Sequence, residues 1–452
     1  MPTRVLDLGH PDDRTTVRLV ETEANSHNGR YVCLSHCWGK AKVECLTTQA
    51  TLERNKQYIP WDVLPKTFQD SILFTRRLDV RYLWIDSICI IQDSEDDWQR
   101  EASLMCQVYQ GAYLTLAAGW ARDDTDGLFK EAPKEYRSIQ ILSPPKAHLE
   151  LHPLTSRAWC FQERLLSPRV LYFNAHELVW ECMTNSRCQC TVSGPIAAED
   201  PLPKIEYAHS ETVPSQDLVE SWHKLVRSYS FLDLTFESDI FPALSGVAKE
   251  MQQRRNGPLY YAGLWGDSLE KDLFWYVTSS PVRAPAVWRA PSWSWASTKS
   301  YVDFRQVDVV CFQIVATEVH CAGIDPTGAL RAASITLSGP MVPAVFVARG
   351  FGGVALPSVR ELEIGFIQDH DFYYDPTCNE ESYRNGELPV YLLYMGYRTM
   401  MVLRKPDITS YYMVLQEVPE KMSTFRRLGF GTFRDSSVTA VVPFEYQTFT
   451  II

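Results

Sequence analysis

Between residues 31 and 117, three short apolar runs alternate with two amphipathic stretches of helical spacing, and that alternation leaves few folds open. Tyr31-Val-Cys-Leu-Ser35 is apolar, β-branched and aromatic and runs into His36-Cys37-Trp38-Gly39, so it reads as a strand followed by a loop. Leu64-Pro65 opens a helix with Leu64, Phe68, Ile72 and Thr75/Leu78 on one side. Residues 81–91 form an almost continuous apolar run with one carboxylate, Asp86, as expected of a strand buried on both faces. Trp98, Ala102, Met105, Tyr109 and Ala112 then repeat at helical intervals, with Asp96 or Asp97 placed to cap the helix. Tyr113 to Ala117 supplies a third strand. Strand and helix alternating over short links predicts βαβ units, hence a parallel sheet with helices on its faces.

The rest of the chain divides by pattern. Ala121 to about Pro153 is irregular; Ser156–Leu166 reads as a helix, and Arg169–Phe173 and Glu177–Trp180 as strands. Residues 191–215, rich in Pro, Ser and Glu, look like a linker, 217–253 is helical, and beyond 300 short runs broken by Gly and Pro favour β structure. A length of 452 residues exceeds what one core usually supports. The expected organisation is an α/β domain over 1–190, a linker and helical region over 191–300, and a β-rich domain over 301–452.

A formal charge of −11 argues against broad binding to nucleic acid or an anionic membrane. Met1 to Gly9 has no apolar segment of signal-peptide kind and no run approaches a membrane span, so a soluble, cytoplasmic protein is expected. Twelve Cys scattered through apolar segments fit reduced, mostly buried thiols. His176, Cys182, Cys188 and Cys190 come nearest to a metal cluster, but their spacing matches no common zinc motif, and no metal is expected.

Chemistry concentrates in Ser156-Arg-Ala-Trp-Cys-Phe-Gln-Glu163. On a helix Trp159 and Glu163 share a face, and a carboxylate beside an indole is partly desolvated, which suits it to acid/base or cation-stabilising work. The plainer reading pairs Glu163 with Arg157 or Arg164 and leaves Trp159 in the core. Asp86, ionisable within an apolar run, is either a buried hydrogen-bonded group or a ligand-facing one at the carboxyl end of its strand. Glu101 borders the apolar stripe of its helix, where a first-turn acid is favoured by the dipole alone. Ser35, His36 and Trp38 follow the first strand and are placed to line the same mouth. No GxGxxG, Walker or GxSxG motif is present.

Several blocks, taken in order, resemble one family. They are Tyr31–Gly39, Leu64-Pro-Lys-Thr-Phe68, Tyr82–Gln92, Asp97-Trp98 with Glu101 and Met105, Val108-Tyr109, Gly127-Leu-Phe129, Arg157–Ser167 and Val179–Cys182. Together they resemble the fungal heterokaryon-incompatibility (HET) domain. Leu234–Gly246, Ala262–Trp265 and Arg289–Ser297 are similar to the region downstream of it in large HET proteins. The resemblance implies a role in non-self recognition and programmed cell death. The family is distantly similar to TIR domains, which implies a flavodoxin-like parallel sheet flanked by helices. Some TIR domains hydrolyse NAD with a Glu in a Trp-Cys-x-x-Glu pattern, and Trp159-Cys-Phe-Gln-Glu163 has that form.

That likeness implies Glu163 as the catalytic residue, Trp159 as a wall, Ser35 and Trp38 near the nicotinamide, and His36 and Asp86 as further substrate contacts. It implies NAD as substrate and no cofactor. The phosphate and adenine contacts of TIR enzymes are not recognisable. Without an NTPase module or repeats of its own, the chain is expected to be triggered by an upstream sensor, self-association or a small molecule. Two other readings stay open: a non-enzymatic signalling scaffold, and a biosynthetic enzyme reusing the fold.

Overall fold

A computed structural model describes residues 1–9, 17–22, 29–39, 44–131, 153–189, 203–214, 217–278, 284–347, 372–374, 387–402, 405–419, 421–433 and 445–452. They fall into two compact units. The first comprises Met1–Pro214, Leu232–Thr235 and Pro242–Met251; the second comprises Ser215–Phe231, Phe236–Phe241 and Gln252–Ile452.

The first unit is built on an eight-stranded sheet. Its strands are β1 (Arg4–Asp7), β2 (Arg18–Glu21), β3 (Tyr31–Ser35), β4 (Tyr82–Trp84), β5 (Leu114–Ala117), β6 (Arg169–Phe173), β7 (Leu178–Cys182) and β8 (Ser186–Cys188), in the spatial order β2-β1-β4-β3-β5-β6-β7-β8. The centre β4-β3-β5-β6 is parallel. Both flanks are antiparallel, so the sheet is mixed and the expectation of a purely parallel sheet is corrected. The flanks escaped the sequence reading because β1, β2 and β8 are three or four residues long, too short for a periodic signal.

Helices α1 (Leu52–Gln57), α2 (Lys66–Arg77), α3 (Asp86–Cys89), α4 (Glu95–Gln110), α5 (Ala158–Leu166) and α6 (Pro203–His209) complete the described unit, with part of the helix Pro242–Arg254. Three expectations change. The apolar run 81–91 is not one strand, because β4 stops at Trp84 and Asp86 begins the single helical turn α3. An apolar run can bury a strand and a helical turn equally well, so composition could not separate them. Helix α4 is capped by Ser94, whose side chain accepts from the Asp97 N–H, rather than by Asp96 or Asp97. And 203–209, within the expected linker, is helical; 190–202 lies outside the described residues.

Buried charges tie the unit together. Arg4 of β1 donates to the Cys89 carbonyl at 2.6 Å and pairs with Asp97 at 2.5 Å, and Glu101 accepts the Thr3 hydroxyl. Glu101 therefore anchors the N-terminal strand to α4. Lys204 of α6, fully buried, donates to the Arg164 and Ser167 carbonyls at the end of α5. A cation against the last carbonyls of a helix favours the dipole and satisfies acceptors that the helix leaves open.

The second unit holds a Trp-rich loop and a β-rich body. Strands β9 (Tyr260–Tyr261) and β10 (Leu264–Trp265) pair, as do β11 (Trp275–Val277) and β12 (Val302–Phe304). The larger sheet comprises β13 (Val309–Val310), β14 (Gln313–Cys321), β15 (Leu330–Val347), β16 (Phe372–Tyr374), β17 (Glu387–Val402), β18 (Lys405–Glu417), β19 (Thr424–Phe433) and β20 (Glu445–Ile451). The first half of β15 pairs with β20 and the second half with β17, so the path β15-β17-β18-β19-β20 returns to β15 and closes. Ile335, Leu337, Leu393, Met413 and Ile451 of these strands are fully buried. The Arg289–Ser297 block is structural here. Arg289 donates to the Ala296 and Thr298 carbonyls, and the Trp295 and Trp222 indoles share the Gly263 carbonyl.

Nine described cysteines are free. Cys188, in the edge strand β8, is disulfide-bonded and is the correction to the all-reduced expectation. Among the described residues no three His, Cys, Asp or Glu side chains gather as metal ligands, and Cys190 lies outside them. No described helix is long and apolar enough to cross a membrane.

Candidate functional site

Numbering the parallel strands by sequence, their spatial order is second, first, third, fourth. After β3 the chain adds β4 on one side and then crosses to add β5 on the other. Open α/β sheets bind ligands outside the carboxyl ends of the strands at such a change of direction. Ser35 is the last residue of β3, His36 to Trp38 follow it, and Asp86 comes two residues after β4. Helix α5 brings Glu163 to the same end, as the contact of Ser35 Oγ with Cys160 Sγ, 3.8 Å, shows.

Glu163 is 6 % exposed and its Oε2 has no hydrogen-bond partner. Burial pushes its carboxyl up to about 7, against the opposing pull of Ser35, Arg157 and Tyr109, while Asp86 adds to the rise. It forms no ion pair among the described residues. Arg164, the neighbour expected to neutralise it, instead grips Glu181 of β7 at 2.6 and 2.9 Å, and Glu181 also accepts the Tyr172 hydroxyl. A desolvated, unpaired carboxyl is thus what α5 delivers. Trp159 is half-buried, with its ring edge-on to Trp98 of α4 at 6.2 Å.

Asp86 is the open acid of the group. Its side chain is 24 % exposed, accepts the Trp38 indole N–H at 2.8 Å and the Ser87 N–H at 2.7 Å, and lies 3.8 Å from His36 Nδ1. The indole of Trp38 is thereby fixed at the mouth by its polar edge. His36 is buried edge-on against Phe68. Burial holds its imidazole below the ordinary range, and Arg157 reinforces this while Asp86 opposes it.

Two members were not found by sequence reasoning. Asp124 lies 3.2 Å from His36 Nε2 through Oδ1, off hydrogen-bonding direction, and both its carboxyl oxygens are without a hydrogen bond. Burial, aided by Asp86 and Asp123, pushes it up to about 8. Its run, Arg122-Asp-Asp-Thr-Asp126, looks like a surface loop. The available signal was the Gly127-Leu-Phe129 block just after it, which fastens to α2 through Gly127 N–H to Thr67 and Leu128 N–H to Asp70. The second is Arg157, which donates to the His36 carbonyl at 3.3 Å and contacts the Cys37 thiol.

Residues 31–163 match the family model described as heterokaryon incompatibility protein (HET). This segment is a HET domain. The match begins at the first residue of β3 and ends on Glu163, so the HET domain contains the parallel strands β3, β4 and β5 and every site residue named above, while β1, β2 and β6 to β8 lie outside it. No curated protein and no solved structure matches the chain.

Proposed function

We propose that this chain acts in heterokaryon incompatibility by hydrolysing NAD at the nicotinamide–ribose bond, with Glu163 as the catalytic residue. One observation carries the reading: a buried carboxyl with no ion-pair partner among the described residues, one oxygen without a hydrogen bond there, at the carboxyl end of the parallel strands. In the reaction the C1′–N bond breaks, the pyridinium nitrogen keeps the bonding pair and leaves neutral, and positive charge develops on the ribose. A carboxylate in a low-dielectric setting stabilises that charge strongly. Water then adds at C1′ and its proton passes to the carboxylate.

Ser35 positions the Glu163 side chain, Trp38 offers an indole face to the nicotinamide ring, and Asp86 accepts from a ribose hydroxyl. Trp159 and Trp98 form an aromatic wall on the helix side. At 6 % exposure Glu163 needs a covering side chain to move before a ribose reaches it. Self-association or an upstream sensor protein supplies that displacement in this reading, which makes the resting chain inactive. The fold assigned to the domain is then TIR-like, and the second-first-third-fourth strand order supports that assignment.

Purified protein is incubated with NAD, and nicotinamide release is compared for wild type, Glu163→Ala and Glu163→Gln. Both variants lose about a hundredfold or more in rate. Release that is equal in all three removes Glu163 from catalysis. No release from any, with killing on expression that survives Glu163→Ala, favours a scaffold in which the same residues only hold the fold.

A further inference from the structure

Several cations of the first unit are neutralised by carboxylates, and others, such as Arg76 and Lys204, spend their donors on backbone carbonyls. Arg4 pairs with Asp97 at 2.5 Å, Arg81 with Asp7 at 2.7 Å and Arg164 with Glu181 at 2.6 Å. Arg157 is not paired in this way. It lies immediately before α5, partly buried, and its guanidinium donates to the His36 carbonyl and reaches the Cys37 thiol, both neutral groups. Among the described residues no carboxylate forms an ion pair with it, although Asp124 and Glu163 are close enough to feel its charge. Burial raises the carboxyls of both acids, which weakens the negative charge that either sets against it.

A partly desolvated cation without a counter-charge is unfavourable unless something else completes it. The start of α5 points the same way: its first turn carries no acidic residue and its N-cap side chain makes no capping bond. The positive end of the helix dipole is therefore added to the guanidinium rather than neutralised beside it. A planar guanidinium matches the paired oxygens of a phosphate. From Arg157 to Glu163 the helix rises about 9 Å, the order of a ribose with its 5′-phosphate.

We infer that Arg157 is the phosphate-binding residue of this site and grips the pyrophosphate of a dinucleotide whose ribose lies against Glu163. This rests on the N-ribosyl hydrolysis proposed above and adds the phosphate contact that the sequence does not reveal. It makes the substrate class a phosphorylated nucleoside rather than a free one, and Arg157 a specificity-determining contact.

The test compares NAD with nicotinamide riboside, which has the same scissile bond and no phosphate, for wild type, Arg157→Lys and Arg157→Met. Arg157→Met raises KM for NAD about tenfold or more and changes KM for the riboside less than twofold. Arg157→Lys, which keeps the charge and loses the fork, falls between. Equal changes on both substrates overturn the assignment. Titration calorimetry with ADP-ribose separates this from the hydrolysis itself. If wild type cleaves neither substrate, the hydrolytic reading fails, and the phosphate assignment still stands or falls on whether folded Arg157→Lys and Arg157→Met lose ADP-ribose affinity in that order. Unchanged affinity in both, or no binding by wild type, overturns it.

Discussion

Arg164 directs both arms of its guanidinium to Glu181, at 2.6 and 2.9 Å, and so forms no ion pair with Glu163, the preceding residue on the same helix. The pairing fixes the face that α5 turns toward β7. It also sets two buried acids apart: Glu181 is held below the ordinary range, with burial overcome by Arg164, whereas Glu163 is raised by burial.

Glu181→Ala removes one partner of a buried pair and strands Arg164 and the Tyr172 hydroxyl. It lowers stability by about 3–5 kcal/mol, measured by urea denaturation. A loss below about 1 kcal/mol makes the pair an ordinary surface bridge.

Glu163→Gln stabilises the protein at alkaline pH. Folding raises the carboxyl from 4.5 to about 7, so the folded state holds a proton that the unfolded state has released. Stability is therefore full below about 4.5 and declines as pH rises to about 7. At roughly 1.4 kcal/mol per unit the decline is about 3 kcal/mol. Glu163→Gln escapes it, so the two proteins converge near pH 4.5 and differ by about that amount at pH 8. Parallel stability curves across this range refute the burial argument.

On the hydrolytic reading proposed above, the same titration sets the rate. If the carboxylate form stabilises the developing charge, nicotinamide release rises as pH increases through about 7 and then levels, tracking ionisation of Glu163. An initial-rate profile that is flat from pH 5.5 to 8.5 places the required charge elsewhere.

Gly39 closes the loop that carries His36 and Trp38. Its φ is +70°, and a Cβ there would meet the Asp123 Cβ at 2.2 Å. Gly39→Ala costs about 2 kcal/mol or more from backbone strain and overlap, seen as a lower thermal midpoint. An unchanged midpoint means the loop does not hold this conformation.

In the second unit Arg427 is fully buried, donates to the Leu273 and Trp275 carbonyls at 3.0 and 2.5 Å, and lies 3.8 Å over the Trp275 ring. Arg427→Met leaves both carbonyls without that donor and costs about 3 kcal/mol by chemical denaturation. A neutral result shows that the loop carbonyls find other donors.

The core of the HET domain was legible because its signals are local. The Tyr31–Ser35 strand, the Lys66–Arg77 helix and the Glu95–Gln110 helix each declare themselves within a dozen residues or so of apolar spacing. Ser35, His36 and Trp38 could be placed because they stand at or just past the end of an apolar run, and Asp86 because it is the one carboxylate within another. Asp124 could not: its burial depends on docking against α2 and His36, far away in sequence. Nor could the isolation of Arg157, since an absent partner leaves no trace in spacing. Trp159 was expected beside Glu163 by helical periodicity, and its packing on Trp98 is a tertiary choice that periodicity cannot express. The antiparallel flanks and the Trp-rich loop of the second unit rest on short strands and carbonyl–donor pairings that carry no periodic pattern.

The contact between Ser35 and Cys160 joins positions 125 residues apart, and it forms only when α5 has docked beyond the third parallel strand. Loop-closure entropy grows only slowly with length, so this span is scarcely harder to close than the one between β3 and β5. A ribosome that has just finished β5 carries a polypeptide without Glu163 and without β6 to β8, so the site and the far flank of the sheet are completed by the same later stretch of chain.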